Sequence, residues 1–173
     1  MNGTRPQTLV ILAAALGWNL IDKHKPATKI QFRPIAPGPL SLTCPAQATL
    51  RTALPPSRHG IVASGWFHRE LARPFFWEQS AELVRGRRIW EDARAAGQTV
   101  GMAFWQQSLG ERIDLVISPK PIHRHHGGIV MDCYTRPEPL YAELCADLGR
   151  KFDLYHYWGP IARTRVGRWI SEA

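Results

Sequence analysis

Residues 40–61, LSLTCPAQATLRTALPPSRHGI, set a hydroxyl, a thiol and a proline side by side at Thr43–Cys44–Pro45, with a histidine–glycine pair following at His59–Gly60. Proline suits the first turn of a helix, where its missing N–H has no intrahelical partner to lose. Thr43 or Cys44 then caps a helix over 45–54, and Pro55–Pro56 ends it. A hydroxyl at that end faces backbone N–H groups and the positive pole of the helix dipole, where a phosphate docks. A nearby divalent metal would lower the hydroxyl pKa and make Thr43 a nucleophile; a free threonine hydroxyl attacks poorly. Plain capping accounts for the same residues, so local chemistry leaves both readings open. Cys44 has the alternative of a thiolate at a helix terminus, but no histidine lies close to it in sequence. His123–Arg124–His125–His126 could grip a metal or form a solvated basic loop, and Asp132 and Asp153 could act as acids without any flanking signal that says so.

These residues need elements to hold them. The apolar run Leu9–Ala15 predicts a buried first strand, with a short signal-peptide core as the competing reading. Residues 22–41 are proline-rich and read as an irregular connection. Ile89–Ala96 predicts a helix closed at Gly97, and Pro137–Leu148 another closed at Gly149. Thr99–Trp105 and Ile113–Ile117 predict strands, Ser118–Gly128 a loop, and a last helix follows Gly159–Pro160. Strands alternating with helices imply an α/β fold with a mainly parallel central sheet and helices on both faces, in one domain over 1–173. Trp66, Trp77, Trp90 and Trp158 are expected to be buried or to line one cleft.

Composition narrows the partners. The chain has 173 residues, 45% of them hydrophobic, enough for one core. A net charge of +8 suits an anionic partner. No groove-reading motif and no aromatic–basic interleaving appears, so specific nucleic-acid binding is not expected. The Leu9–Leu16 run is too short to span a bilayer. Three cysteines without CxxC spacing argue against a disulfide framework and fit a reducing, cytoplasmic compartment; a secreted or periplasmic location would follow if the first apolar run were a signal peptide.

The stretch TCPAQATLRTALPPSRHGIVASGW (43–66) resembles the nucleophile segment of the type I phosphodiesterase/nucleotide pyrophosphatase family, within the alkaline phosphatase superfamily. Thr43, Pro45, Thr52, Pro56, His59, Gly60 and Ile61 fall into that family's pattern without a gap. FWEQSAELVRGRRIWE, ISPKPIHRH, DCYTRPEPLYAELCADLGR, HYWGP and RWISEA resemble a bacterial branch of the same family. The resemblance implies the N-terminal portion of an alkaline-phosphatase-like fold and hydrolysis of phosphate esters or nucleotide-like small molecules. It implies Thr43 as nucleophile and metal ligand, a phospho-enzyme intermediate, two divalent metal ions (zinc), and phosphate contacts from Cys44 and Ser64.

The chain also departs from that pattern. Ala14 stands where the family commonly has a metal-binding aspartate, Thr52–Ala53 replaces Thr-Gly, and Ser64 replaces a phosphate-contacting asparagine. Family members continue well beyond a segment like RWISEA, and their later part supplies the remaining Asp and His ligands. The domain is therefore expected to be incomplete, with the remaining metal ligands unassigned. A non-catalytic remnant that keeps an anion-binding helix end is the alternative.

Overall fold

The structure is a computed structural model that describes residues 7–13, 16–26, 28–36, 38, 40–124, 126 and 129–154. It divides into a unit up to Pro39 and a unit from Leu40 onward. In the first unit, α1 (Trp18–His24) is a short helix within otherwise irregular backbone. The expected strand over Leu9–Ala15 is not formed in its described part. Residues 9–13 pair with no strand, and Leu9 is 83% exposed. An apolar run becomes a buried strand only when a sheet edge receives it, and here none does.

The second unit begins with α2 (Thr43–Thr52) and α3 (Pro56–His59). An antiparallel hairpin follows, β1 (Gly65–His68) with β2 (Arg73–Phe76). A 3-10 turn at Ala81–Leu83 and helix α4 (Glu91–Ala95) lead to a three-stranded sheet. Its strands are β3 (Gly101–Ala103), β4 (Leu115–His123) and β5 (Ile129–Arg136), and α5 (Leu140–Leu148) packs against β4 and β5. β3 runs parallel to β4, whereas β5 is antiparallel to it. The fold is α/β with a small mixed sheet, consistent with an alkaline-phosphatase-like N-terminal portion; the parallel pairing is one of the sheet's two.

The expected loop over Ser118–Gly128 is largely strand: β4 continues to His123 and pairs with β5 down to Ile129. Pro119 and Pro121 misled the reading, since proline cannot donate to a ladder. They sit two apart, so their missing N–H groups face the same edge. β3 leaves that edge open beyond Ile117. The hairpin over 65–76 carries no alternating signal and was not anticipated. Its glycine is required, because a Cβ on Gly65 would meet the Phe76 ring at 2.5 Å. Helices α4 and α5 fall within their expected ranges, and Gly97 and Gly149 take the left-handed conformation that closes them.

Two apolar clusters form the core. Cys44 and Ala48 of α2 pack on Ile61 and Val84; Met102, Ile113 and Val116 pack with Trp90, Trp105 and Tyr134. The tryptophans do not share one cleft. Trp66 is half-buried and stacks on Phe75, Trp90 is half-buried against the second cluster, Trp77 is exposed, and Trp158 lies outside the described residues. Between the clusters runs a buried charge network. The Glu111 carboxylate receives the Arg88 guanidinium at 3.1 Å and sits 3.6 Å from Arg51 Nη1. Arg88 also donates to the carbonyls of Ala81, Val84 and Gly86. Arg51 donates to the Gln107 carbonyl at 2.7 Å, while its Nε and Nη2 have no protein partner. Burial pulls the Arg51 guanidinium down to about 10, against the opposing pull of Glu111, so it stays charged at neutral pH.

Two predictions follow from this packing. Ala53 closes α2 at φ +54, a conformation that costs a residue with a Cβ about 1–2 kcal/mol. Ala53→Gly should therefore raise stability by about 1 kcal/mol in urea unfolding, after the greater unfolded-state entropy of glycine is allowed for; an unchanged or lower midpoint would contradict the assignment. Glu111→Gln should cost about 3 kcal/mol by leaving two buried guanidiniums uncompensated, whereas Arg51→Met should cost less, because Glu111 keeps Arg88 and two unpartnered buried nitrogens are removed. Equal losses in the two variants would show that Glu111 is not the hub.

Candidate active site

Helix α2 is laid down by its own stripe. Cys44, Pro45, Gln47, Ala48, Arg51 and Thr52 are buried, a one-sided pattern at helical spacing. Thr43 lies off that stripe and is exposed. It is the first helical residue and not the cap: Leu42 takes the N-cap position and offers no side-chain hydrogen bond. The expected cap from Thr43 or Cys44 is thus displaced by one residue. The result leaves the Thr43 hydroxyl without a hydrogen bond among the described residues. No acidic residue stands in the first turn to repel an anion. Pro45 removes one first-turn donor, so Thr43 and Cys44 carry the N–H groups that face outward.

Cys44 has its side chain wholly buried in the first core cluster. Only its backbone N–H is placed to meet a ligand, and a thiolate nucleophile there has no route to solvent. Cys44 packs against Ile61, three residues ahead of Ser64. Ser64 is half-buried, and its carbonyl accepts the Trp77 N–H at 2.8 Å, which closes the base of the β1–β2 hairpin.

His59 holds the turn between the two segments. It is fully buried, its Nδ1 accepts the Ile61 N–H at 3.1 Å, and its Nε2 lies 3.0 Å from Thr49 Oγ1. An acceptor Nδ1 leaves the proton on Nε2, which donates to Thr49. Burial, together with the nearby Arg51 charge, lowers its pKa below the ordinary histidine range. Both nitrogens are engaged, so His59 acts as a structural strut and not as a base or ligand.

The other candidates scatter. His123 ends β4, His125 lies outside the described residues, and Asp132 faces Lys120 across β4–β5 at 3.8 Å. Among the described residues no three of His, Cys, Asp or Glu converge as a metal site. Ala14 offers only a methyl group. The donors described around Thr43 therefore do not fit a two-metal centre. What sequence reasoning missed is a set of glutamines behind α2, at 47, 79 and 106, which carry no local motif and emerge only from the folded contacts.

An α/β chain that begins a helix with an exposed threonine, uncapped and free of acidic neighbours, presents backbone N–H donors of the kind that meet an anion. Residues 8–173 match the model of the type I phosphodiesterase / nucleotide pyrophosphatase family, and the chain belongs to that family. Its members are phosphodiesterase and pyrophosphatase-type hydrolases, generally metal-dependent. No curated protein and no solved structure matches the chain. No helix among the described residues is long and apolar enough to cross a membrane.

The His59 strut gives a pH test. A folded-state pKa below the unfolded value of about 6.5 means that the unfolded chain binds the extra proton first. This group's contribution to stability is complete above pH ~6.5 and is lost as pH falls from there through the lower folded value. The His59 ring should titrate below ~6.5 by NMR, and urea stability should fall in step. A ring midpoint at or above that value would overturn the burial and the Arg51 charge as the forces acting on His59.

Proposed function

We propose that this chain carries the phosphoryl-accepting segment of a phosphodiesterase/nucleotide pyrophosphatase-type hydrolase, with Thr43 as the attacking group. The observation that carries the reading is the tip of α2: an exposed, uncommitted hydroxyl at the first helical position, with neither a capping side chain nor an acid beside it. Thr43 Oγ1 gives its proton to solvent water and attacks phosphorus in line; the Oγ1–P bond forms as the P–O bond to the ester group breaks, and the leaving oxygen keeps the electron pair and takes a proton from water. Water then hydrolyses the threonyl phosphate and restores the hydroxyl. The Cys44 N–H and the Ser64 hydroxyl donate to the phosphoryl oxygens, and the net charge of +8 draws in a phosphate-ester or nucleotide-like small molecule. Two divalent ions, zinc in this reading, are the family's activating group, and the described donors do not hold them.

Without such activation the alkoxide is poorly stabilised, and a loss of several kcal/mol lowers the rate by roughly a thousandfold or more. A second reading, an anion-binding module without turnover, is favoured by Ala14 at the aspartate position and by Ser64 in place of asparagine. Hydrolysis of bis-p-nitrophenyl phosphate with added zinc or manganese distinguishes them, comparing this chain with Thr43→Ala. Slow turnover that vanishes in the variant, with a phosphoryl adduct on Thr43 in acid-quenched samples, is expected. Identical background rates in both chains, with no adduct, would leave only the binding module.

A further inference from the structure

Three glutamines connect the two anion-facing positions of the proposed site. Gln47 lies one turn along α2 from Thr43, with its side chain buried, and its Oε1 accepts the Gln106 N–H at 2.8 Å. The Gln106 Oε1 accepts from Gln79 Nε2 at 2.7 Å. Gln79, also buried, uses the same Nε2 on the Trp77 carbonyl at 2.8 Å, and its Oε1 accepts the Gln107 N–H at 3.2 Å. Trp77 in turn donates its N–H to the Ser64 carbonyl. The path runs from the Thr43 helix to the Ser64 segment through side-chain amides and backbone. A flipped Gln79 amide would set oxygen against two carbonyl oxygens, so these contacts dictate its orientation.

We propose that Gln79 and Gln106 are positioning residues, which lock the helix end bearing Thr43 to the Ser64 segment so that both meet one phosphoryl group in a common geometry. This rests on the function proposed above. Two further features fit it. Trp77, Phe104 and Gln107, which flank the relay, hold left-handed φ values of +56, +58 and +49 that residues with a Cβ rarely adopt unaided. The relay keeps those turns in place. Gln79 must also be an amide, because it donates to Trp77 and Gln106 while accepting from Gln107, and an ionised carboxylate has no N–H to give.

The test uses the whole chain, 15N-labelled, titrated with inorganic phosphate while the Thr43, Cys44 and Ser64 amides are followed by NMR. In wild type all three should move together with one Kd. Gln106→Leu keeps the backbone N–H to Gln47 but removes the acceptor for Gln79. It should weaken phosphate binding about tenfold, the worth of one net hydrogen bond, and uncouple Ser64 from the other two amides. Gln106→Asn keeps a neutral amide oxygen and should recover part of the loss. Ile113→Val, in the second core cluster, supplies a comparison in which stability falls but the Kd does not. A Gln106→Leu chain that binds within about twofold of wild type, with Ser64 still moving together with Thr43 and Cys44, would overturn the positioning role and leave the Thr43 reading standing. No response at Thr43, Cys44 or Ser64 in wild type would overturn both.

Discussion

One carboxylate anchors the second unit. Glu111 is nearly inaccessible and takes charge from both Arg51 of α2 and Arg88 of the segment that follows the 3-10 turn. Such a cluster is expensive to desolvate and does not stabilise a fold merely by existing. Its effect is to make alternatives costlier, because any arrangement that withdraws Glu111 leaves two guanidiniums buried without a counter-charge. Arg51 also contributes its backbone, accepting the Ile89 N–H at 2.9 Å. Helix α2, the 81–89 segment and the 107–111 turn are thereby held to one geometry, and the tip of α2 inherits it.

That geometry explains why the candidate nucleophile is exposed while its neighbour is not. Helical spacing sends Cys44, Ala48, Arg51 and Thr52 inward, and Thr43 is left at the rim. Leucine at the cap position forgoes the side-chain hydrogen bond that usually stabilises a helix start. A helix end that gives up its cap retains N–H donors for something else, and an anion answers both the free donors and the dipole. The family's metal dependence requires acidic and histidine donors, and three of those described are engaged elsewhere: His59 with Thr49 and Ile61, Asp132 with Lys120, Asp114 with Arg94.

Local signals were read well from the linear chain. Pro45 and Pro55–Pro56 bracket α2, and Gly97 and Gly149 mark two helix ends, because each acts through its own backbone torsions and needs no distant partner. The cap itself was placed one residue too late, since Leu42 and not Thr43 or Cys44 takes that position. Leu9–Leu12 and Ser118–His123 were misread because strand formation depends on a partner edge, which composition does not encode.

The linear chain alone carries the family, the helix that presents Thr43, and a positive charge suited to an anion. Only the tertiary structure decided that Cys44 is core, that Ala53 bears a left-handed torsion, and that Glu111 serves two arginines. The same holds for the glutamine relay, whose members lie 59 and 27 residues apart along the chain. A glutamine on a helix and a glutamine in a loop look alike in sequence. Their hydrogen bonds acquire meaning only after burial removes water as the competing partner.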